Sequence, residues 1–248
     1  MKPLIGIGCA WNGETGLRDA YKRPFNHIDT KYQEAVYRYG GIPVLLPPPR
    51  ENDPDLDEYA LEVLRHLDGL YMAGGGGGGR GKLDGKRYAL YDQQPVRAAW
   101  EDCLIRHAYE MDIPTLGACR GHQMIAQALG GQIDPGSYPE HLQTAMDHEG
   151  HHVIYLDPDS RLAAIVGKEP WFVNSLHTQI VETAPKGFRA GARTESGSIE
   201  SIESIDKRFF MGTQFHPELM LQDERAKRLL TAFLAEAGRG TGDNRATI

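Results

Sequence analysis

The chain has 248 residues, 40% of them apolar and 25% charged, which suffices for a full hydrophobic core and is ordinary for a soluble globular protein. Its 27 basic and 34 acidic residues give a net charge of −7 with no basic cluster, which argues against a nucleic-acid surface, since that needs grouped Lys and Arg. No apolar run is long enough to cross a membrane, the first residues read as a strand rather than a signal peptide, and Cys9, Cys103 and Cys119 form no disulfide framework. A soluble protein in the reducing cytoplasm is therefore expected, with no membrane or nucleic-acid partner.

In chain order, residues 4–9 read as a strand, 29–39 as a helix closed by Gly40 and Gly41, and 43–46 as a strand closed by prolines, which makes a βαβ opening. Apolar residues recur at helical spacing over 56–67, residues 70–73 form a strand, and 96–110 form a helix. Strands alternating with helices imply a parallel sheet. Past Gly131 the pattern changes to short strands at 152–156, 187–192, 199–205 and 209–215, a β-rich second half, and 223–237 closes the chain as a helix. Residues 1–237 are expected to form one domain, with 238–248 a flexible tail. Residues 12–26 and 74–94 are long insertions after strand ends, the edge where open α/β sheets bind ligands.

Two segments carry chemistry. Pro114-Thr-Leu-Gly-Ala-Cys119-Arg-Gly-His-Gln123 reads as a short buried strand, a sharp turn bearing the cysteine, and a helix ending at Gly130-Gly131. Gly117 and Gly121 remove side chains on both sides of the turn, and the helix N-terminus favours the thiolate, the reactive form. Phe209 to His216-Pro-Glu218 reads as a second strand that ends in a histidine and a carboxylate. Nucleophile, general base and a carboxylate that holds one tautomer are the parts of a cysteine acyl-transfer triad: Cys119, His216 and Glu218. Cys9 and Cys103 sit in strand and helix pattern and read as structural.

The pairing resembles the class I glutamine amidotransferases, in which a strand-elbow cysteine works with a later His-Pro-Glu. Further segments are similar to the gamma-glutamyl-gamma-aminobutyrate hydrolase branch: Tyr32-Gln-Glu-Ala-Val, Gly40-Gly-Ile-Pro-Val-Leu-Leu-Pro47, Asp68-Gly-Leu-Tyr-Met-Ala-Gly-Gly75 and Val173-Asn-Ser-Leu-His-Thr-Gln179. The resemblance implies a flavodoxin-like α/β fold, with helices on both faces of a mostly parallel sheet. It also implies cleavage of a gamma-glutamyl amide through a thioester, with no cofactor. The amide would be of the gamma-aminobutyrate or the polyamine type, as in polyamine catabolism. An oxyanion hole would come from the Gly75 and Arg120 amides. Gln123 would face the glutamyl group, and Asn174, Ser175, His177 and Gln179 would line a substrate-side loop.

The resemblance leaves alternatives open. A glutaminase subunit feeding a separate synthetase would use the same residues, and a non-catalytic module could keep the fold. Peptidase and chaperone relatives carry histidine directly after the elbow cysteine, where this chain has Arg120. The small-molecule amide is the expected partner, and a homodimer stays open as an assembly.

Other features have plainer readings. The six glycines at 74–79 run into a Gly-Lys82-Leu83 that mimics a phosphate loop, but leucine stands where a Ser or Thr would bind Mg²⁺. Asp147-His-Glu-Gly-His-His152 matches no common zinc spacing, His152 reads as the start of a strand, and no metal is expected. Glu14, Asp19, Asp84 and Asp92 lie in the insertions, where they read either as solvated loop charges or as a receiver for a cationic polyamine tail.

Overall fold

A computed structural model describes residues 1–15, 23–49, 55–75, 94–134, 139–144 and 148–240. Strand β1 (Leu4–Gly8) leads into a short ribbon of β2 (Ala10–Trp11) and β3 (Asn26–His27), with a one-turn helix α1 (Asn12–Thr15) between them. Helix α2 (Thr30–Arg38) starts at Asp29, whose carboxylate accepts the Lys31 N–H and so satisfies a donor the first turn cannot bond itself. There follow β4 (Ile42–Leu46), α3 (Leu56–Arg65), β5 (Gly69–Met72), α4 (Pro95–Glu110), β6 (Thr115–Ala118) and α5 (Arg120–Ala128).

The second half comprises β7 (Gln132–Asp134), a 3-10 turn at Pro139–His141, β8 (His152–Leu156), α6 (Arg161–Val166), β9 (Trp171–Val173) and β10 (Ile180–Thr183). The chain then forms β11 (Phe188–Thr194), β12 (Ile199–Ser204), β13 (Phe210–Thr213) and α7 (Glu224–Arg239). Asp223 caps α7 by accepting the Arg225 and Ala226 amides.

Eleven of these strands form one sheet in the order β4-β1-β5-β6-β13-β12-β11-β8-β9, with β10 bridging β12 and β7. The first five are parallel to one another, an order that matches the flavodoxin-like expectation, and the pairings from β13 to β9 are antiparallel. Alternation along the central strands feeds two cores. Tyr71 and Leu116 face Tyr32 and Val36 of α2 and Leu229 and Phe233 of α7, whereas Leu70 and Met72 face Leu64, Trp100, Leu104 and Ile125 of α3, α4 and α5. Among the described residues no helix is long and apolar enough to cross a membrane.

The predicted strands and helices recur with ends shifted by a few residues. Two differences matter. The strand expected at 209–215 stops at Thr213, so Gln214 to His216 leave the sheet before Pro217 opens a 3-10 turn (Pro217–Leu219). The closing helix continues through Gly238 and Arg239, into the segment expected to be tail.

Parallel pairing fixes where the chemistry is placed. Met72 lies level with Gly117, and Ala118 level with Thr213, so β5, β6 and β13 end together at one edge. The chain after each carries Gly74, Cys119 and His216 respectively.

Candidate active site

Cys119 stands between β6 and α5 with φ 50° and ψ −105°, a left-handed backbone that a non-glycine residue adopts only when its surroundings enforce it. What enforces it is close approach. A Cβ on Gly121 would lie 2.0 Å from the Met72 carbonyl oxygen, and one on Gly117 would lie 2.6 Å from the Gly121 carbonyl carbon. The first turn of α5 therefore rests on β5 and β6 backbone. The Cys119 N–H donates to Thr213 O at 2.8 Å, and its carbonyl accepts the Gln123 N–H at 3.1 Å.

On the neighbouring strand end, His216 Nδ1 lies 2.6 Å from Glu218 Oε1, and the Tyr71 hydroxyl donates to Glu218 Oε2 at 3.0 Å. The carboxylate thus holds the proton on Nδ1. Among the described residues Nε2 has no hydrogen-bond partner, and it is left for the reacting groups. Burial alone would lower the His216 pKa, but the Glu218 carboxylate and the Cys119 sulfur outweigh it and hold the imidazole well above its ordinary range. The His216 backbone is clamped at both ends: its N–H donates to Asn174 Oδ1 at 2.8 Å, and its carbonyl accepts from Asn174 Nδ2 at 3.0 Å.

The third strand end closes the site. A Cβ on Gly74 would sit 2.8 Å from His216 Cε1 and 3.6 Å from Cys119 Cβ. The Gly74 N–H is engaged by the Tyr32 hydroxyl at 2.7 Å, while Gly75 is exposed and among the described residues nothing lies within 4 Å of its Cβ direction. Tyr32 Oη also lies 3.4 Å from His216 Nδ1. Burial and then Glu218 raise the pKa of Tyr32 well above the usual phenol value, so it stays a protonated hydroxyl.

Sequence reasoning missed a clamp beneath this edge. Arg97, wholly buried on α4, donates to the carbonyls of Ala73 at 3.1 Å and Gly74 at 2.8 Å, and through Nε to Glu101 Oε1 at 2.6 Å. The other oxygen of Glu101 accepts from Arg120 Nε at 3.1 Å. One carboxylate so ties down both the segment leading to Gly75 and the residue after Cys119. The available signal was an Arg and a Glu four apart on a helix, which normally reads as a solvated surface pair.

The other predicted residues lie on the inner side of the site. Gln123 Nε2 donates to Gln179 O at 2.9 Å and to Gln214 Oε1 at 3.1 Å. Ser175 is wholly buried: its N–H donates to Gln143 Oε1 at 2.6 Å and its hydroxyl to His141 O. His177 Nδ1 is 3.0 Å from Gln179 O. The side chains of Glu14, Asp19, Asp84 and Asp92, and most of the two insertions, fall outside the described residues.

Fold and strand-end geometry together define a protein of the class I glutamine amidotransferase fold. The glutaminase domain of Trypanosoma brucei CTPS with bound acivicin superposes with a TM-score of 0.67 at 18% identity, covering 96% of this chain and 94% of that one. A Thermoplasma acidophilum structure described as a GMP synthase subunit gives 0.63 at 14% identity, covering 96% of each chain. Within that class the chain belongs to the Peptidase C26 family, whose model matches residues 3–218. Similar sequences include a Mycobacterium tuberculosis protein provisionally named a glutamine amidotransferase, 31% identical over 255 residues, covering 96% of this chain and 77% of that one. The Escherichia coli K12 gamma-glutamyl-gamma-aminobutyrate hydrolase PuuD is 29% identical over 239 residues, 92% of this chain and 90% of that one.

Proposed function

We propose that this protein is a cysteine-dependent hydrolase of gamma-glutamyl amides. The observation that supports it most is the convergence of three parallel strand ends, which brings the strained Cys119 elbow, the Glu218-held imidazole of His216 and the Gly74–Gly75 segment to one edge. In this reading the Cys119 sulfur attacks the side-chain carbonyl carbon of the glutamyl group. The developing oxyanion accepts hydrogen bonds from the amides of Gly75 and Arg120.

His216, held protonated, gives its proton to the departing amine as the C–N bond breaks and a thioester forms. The imidazole then removes a proton from water, which attacks the thioester and releases glutamate. Tyr71 and Glu218 keep the ring in the required tautomer, and Asn174 holds the strand end that carries it. Gln123, His177 and Gln179 support the glutamyl side of the pocket.

The purified chain alone, assayed against glutamine and a panel of gamma-glutamyl amides of gamma-aminobutyrate and of polyamines, tests this. Turnover of the larger amides without a partner is expected. Turnover confined to glutamine, or appearing only when a synthetase is added, would overturn it in favour of an ammonia-delivering glutaminase.

A further inference from the structure

Behind α5, away from Cys119, four side chains from four segments turn toward one point. His141 ends the 3-10 turn, His152 opens β8, His177 lies between β9 and β10, and Glu200 is in β12. Glu200 is wholly buried, yet among the described residues neither of its oxygens has a hydrogen-bond partner, and the same holds for Nε2 of His152 and of His177. A carboxylate removed from water without compensation is costly, so this arrangement needs a positive charge at its centre.

The spacing is wrong for ordinary ion pairs. Glu200 Oε1 is 3.5 Å from His177 Nε2 and 3.8 Å from His141 Nδ1, and Oε2 is 3.5 Å from His152 Nε2. Charge-assisted N–H···O bonds close to about 2.7–2.9 Å. Ligand atoms held about 2.0–2.1 Å from one tetrahedral ion stand about 3.3–3.4 Å apart instead, which is near the observed values. The candidate ligand atoms of His141, His152 and Glu200 all fall within 4.8 Å of one another.

The tautomer of His177 points the same way. Its Nδ1 faces the Gln179 carbonyl, which only accepts, so a ring proton sits there and Nε2 is the nitrogen turned toward the carboxylate. A backbone carbonyl under the second ring nitrogen is the usual support of a metal-bound histidine.

We propose that His141, His152, His177 and Glu200 form a binding site for a divalent transition-metal ion of the zinc type. His141, His152 and Glu200 already hold their ligand atoms within 4.8 Å of one another, and His177 Nε2, 3.5 Å from Glu200 Oε1, would supply the fourth ligand of a closed, structural site. The way in is at His152, whose side chain is 18% exposed and borders a surface cavity lined by Glu140, His141, Tyr155, Thr194 and Glu195. The two glutamates at that mouth favour the approach of a cation. An ion here ties the 3-10 turn and the loop before β10 to the sheet. That loop begins with Asn174, the clamp on His216, and its Gln179 carbonyl also receives Gln123 from the nucleophile helix. Occupancy would thus position the imidazole from a distance.

The test uses the full chain, stripped with a chelator and titrated with Zn²⁺ against a chromophoric chelator, and in parallel loaded with Co²⁺ for its absorption spectrum. Cys119→Ser removes the thiol that would offer a competing site together with His216. One tightly held ion is expected in wild type and in Cys119→Ser, with cobalt d–d bands and no thiolate charge-transfer band in the serine variant. His152→Gln, at the rim of the cluster, should keep its circular dichroism and bind at least about a hundredfold more weakly, beyond the loss typical of an outer-shell change. Added Zn²⁺ should raise the thermal midpoint of Cys119→Ser but not of His152→Gln. Absence of stoichiometric binding in folded wild type, or binding abolished by Cys119→Ser and untouched by His152→Gln, would overturn the assignment. Neither result depends on whether gamma-glutamyl amides are cleaved.

Discussion

Replacing Gly121 by alanine perturbs the elbow without touching a reacting atom. The added carbon would sit 2.0 Å from Met72 O and 2.6 Å from Met72 C, both backbone atoms of a strand bonded on its two sides to β1 and β6. β5 cannot yield, so the first turn of α5 must retreat. Reaching an ordinary contact of 3.4 Å requires 3.4 − 2.0 = 1.4 Å of movement. Overpacking of this kind costs about 1–3 kcal/mol, a fall in Tm of roughly 2–12 °C for a chain of this size. The catalytic cost is larger, because a misplacement of about 1 Å is worth about 10²-fold in rate, and the retreating turn carries both Cys119 and the Arg120 amide. Single-turnover acylation and thermal melts on Gly121→Ala would be compared with Gly75→Ala, whose added carbon meets nothing within 4 Å among the described residues. The expected result is a folded Gly121→Ala protein with acylation slowed about a hundredfold, and a Gly75→Ala protein with an unchanged melt. Wild-type acylation by Gly121→Ala would refute the idea that close approach holds the cysteine in place.

Cys119→Ala should abolish turnover while leaving circular dichroism unchanged, and Cys103→Ala should leave the rate intact; residual turnover by folded Cys119→Ala removes it as nucleophile. Glu218→Gln deletes the carboxylate that raises the His216 pKa, so the imidazolium is lost at lower pH and the alkaline limb of kcat/KM should move to lower pH. The same shift sets a stability effect: the His216 contribution is complete below the unfolded pKa of about 6.5 and fades as pH rises through the raised folded value, so alkaline melts of Glu218→Gln should flatten. His122, wholly buried, is held by desolvation at about 3, so wild-type stability should fall as pH drops below about 6.5, by about 2 kcal/mol at pH ~5. His122→Leu should lose that part of the acid sensitivity, and an unchanged difference between neutral and acid melts would rule His122 out as its source. Glu101→Gln removes the carboxylate shared by Arg97 and Arg120, at an expected cost of about 3–5 kcal/mol in a denaturant titration.

The alternation of Leu70, Tyr71 and Met72, the glycine-flanked elbow and the His-Pro-Glu strand end were readable in the chain because each obeys a local rule of period or turn chemistry. Their meeting at one edge followed from parallel pairing. The short strands β7, β9 and β10 were not readable: each has four residues or fewer, and their partners lie far away in sequence. Arg97 and Glu101 obeyed a local rule that pointed the wrong way, since only tertiary packing turns a surface-like i, i+4 pair into a buried clamp. Asn174 and Ser175 were recognised as belonging to the site region, but their engagement with the His216 backbone and with Gln143 depends on a loop path that no periodicity records. His141, His152, His177 and Glu200 span sixty residues with no metal-like spacing, so only the fold gathers them.

A sheet this wide ends its main path in outer rims at β4 and β9, and each is a potential template for a foreign strand. At β4 the Ile42 N–H is bonded inward to Pro3 O, so alternation turns the position of Pro43 outward, where proline has no hydrogen to offer. At the far rim, β9 runs for only three residues and follows directly on Pro170. A newcomer would find a ladder with missing rungs at one end and scarcely any ladder at the other. The apolar strands at the centre are thus shielded at both of these rims from pairing with a foreign strand.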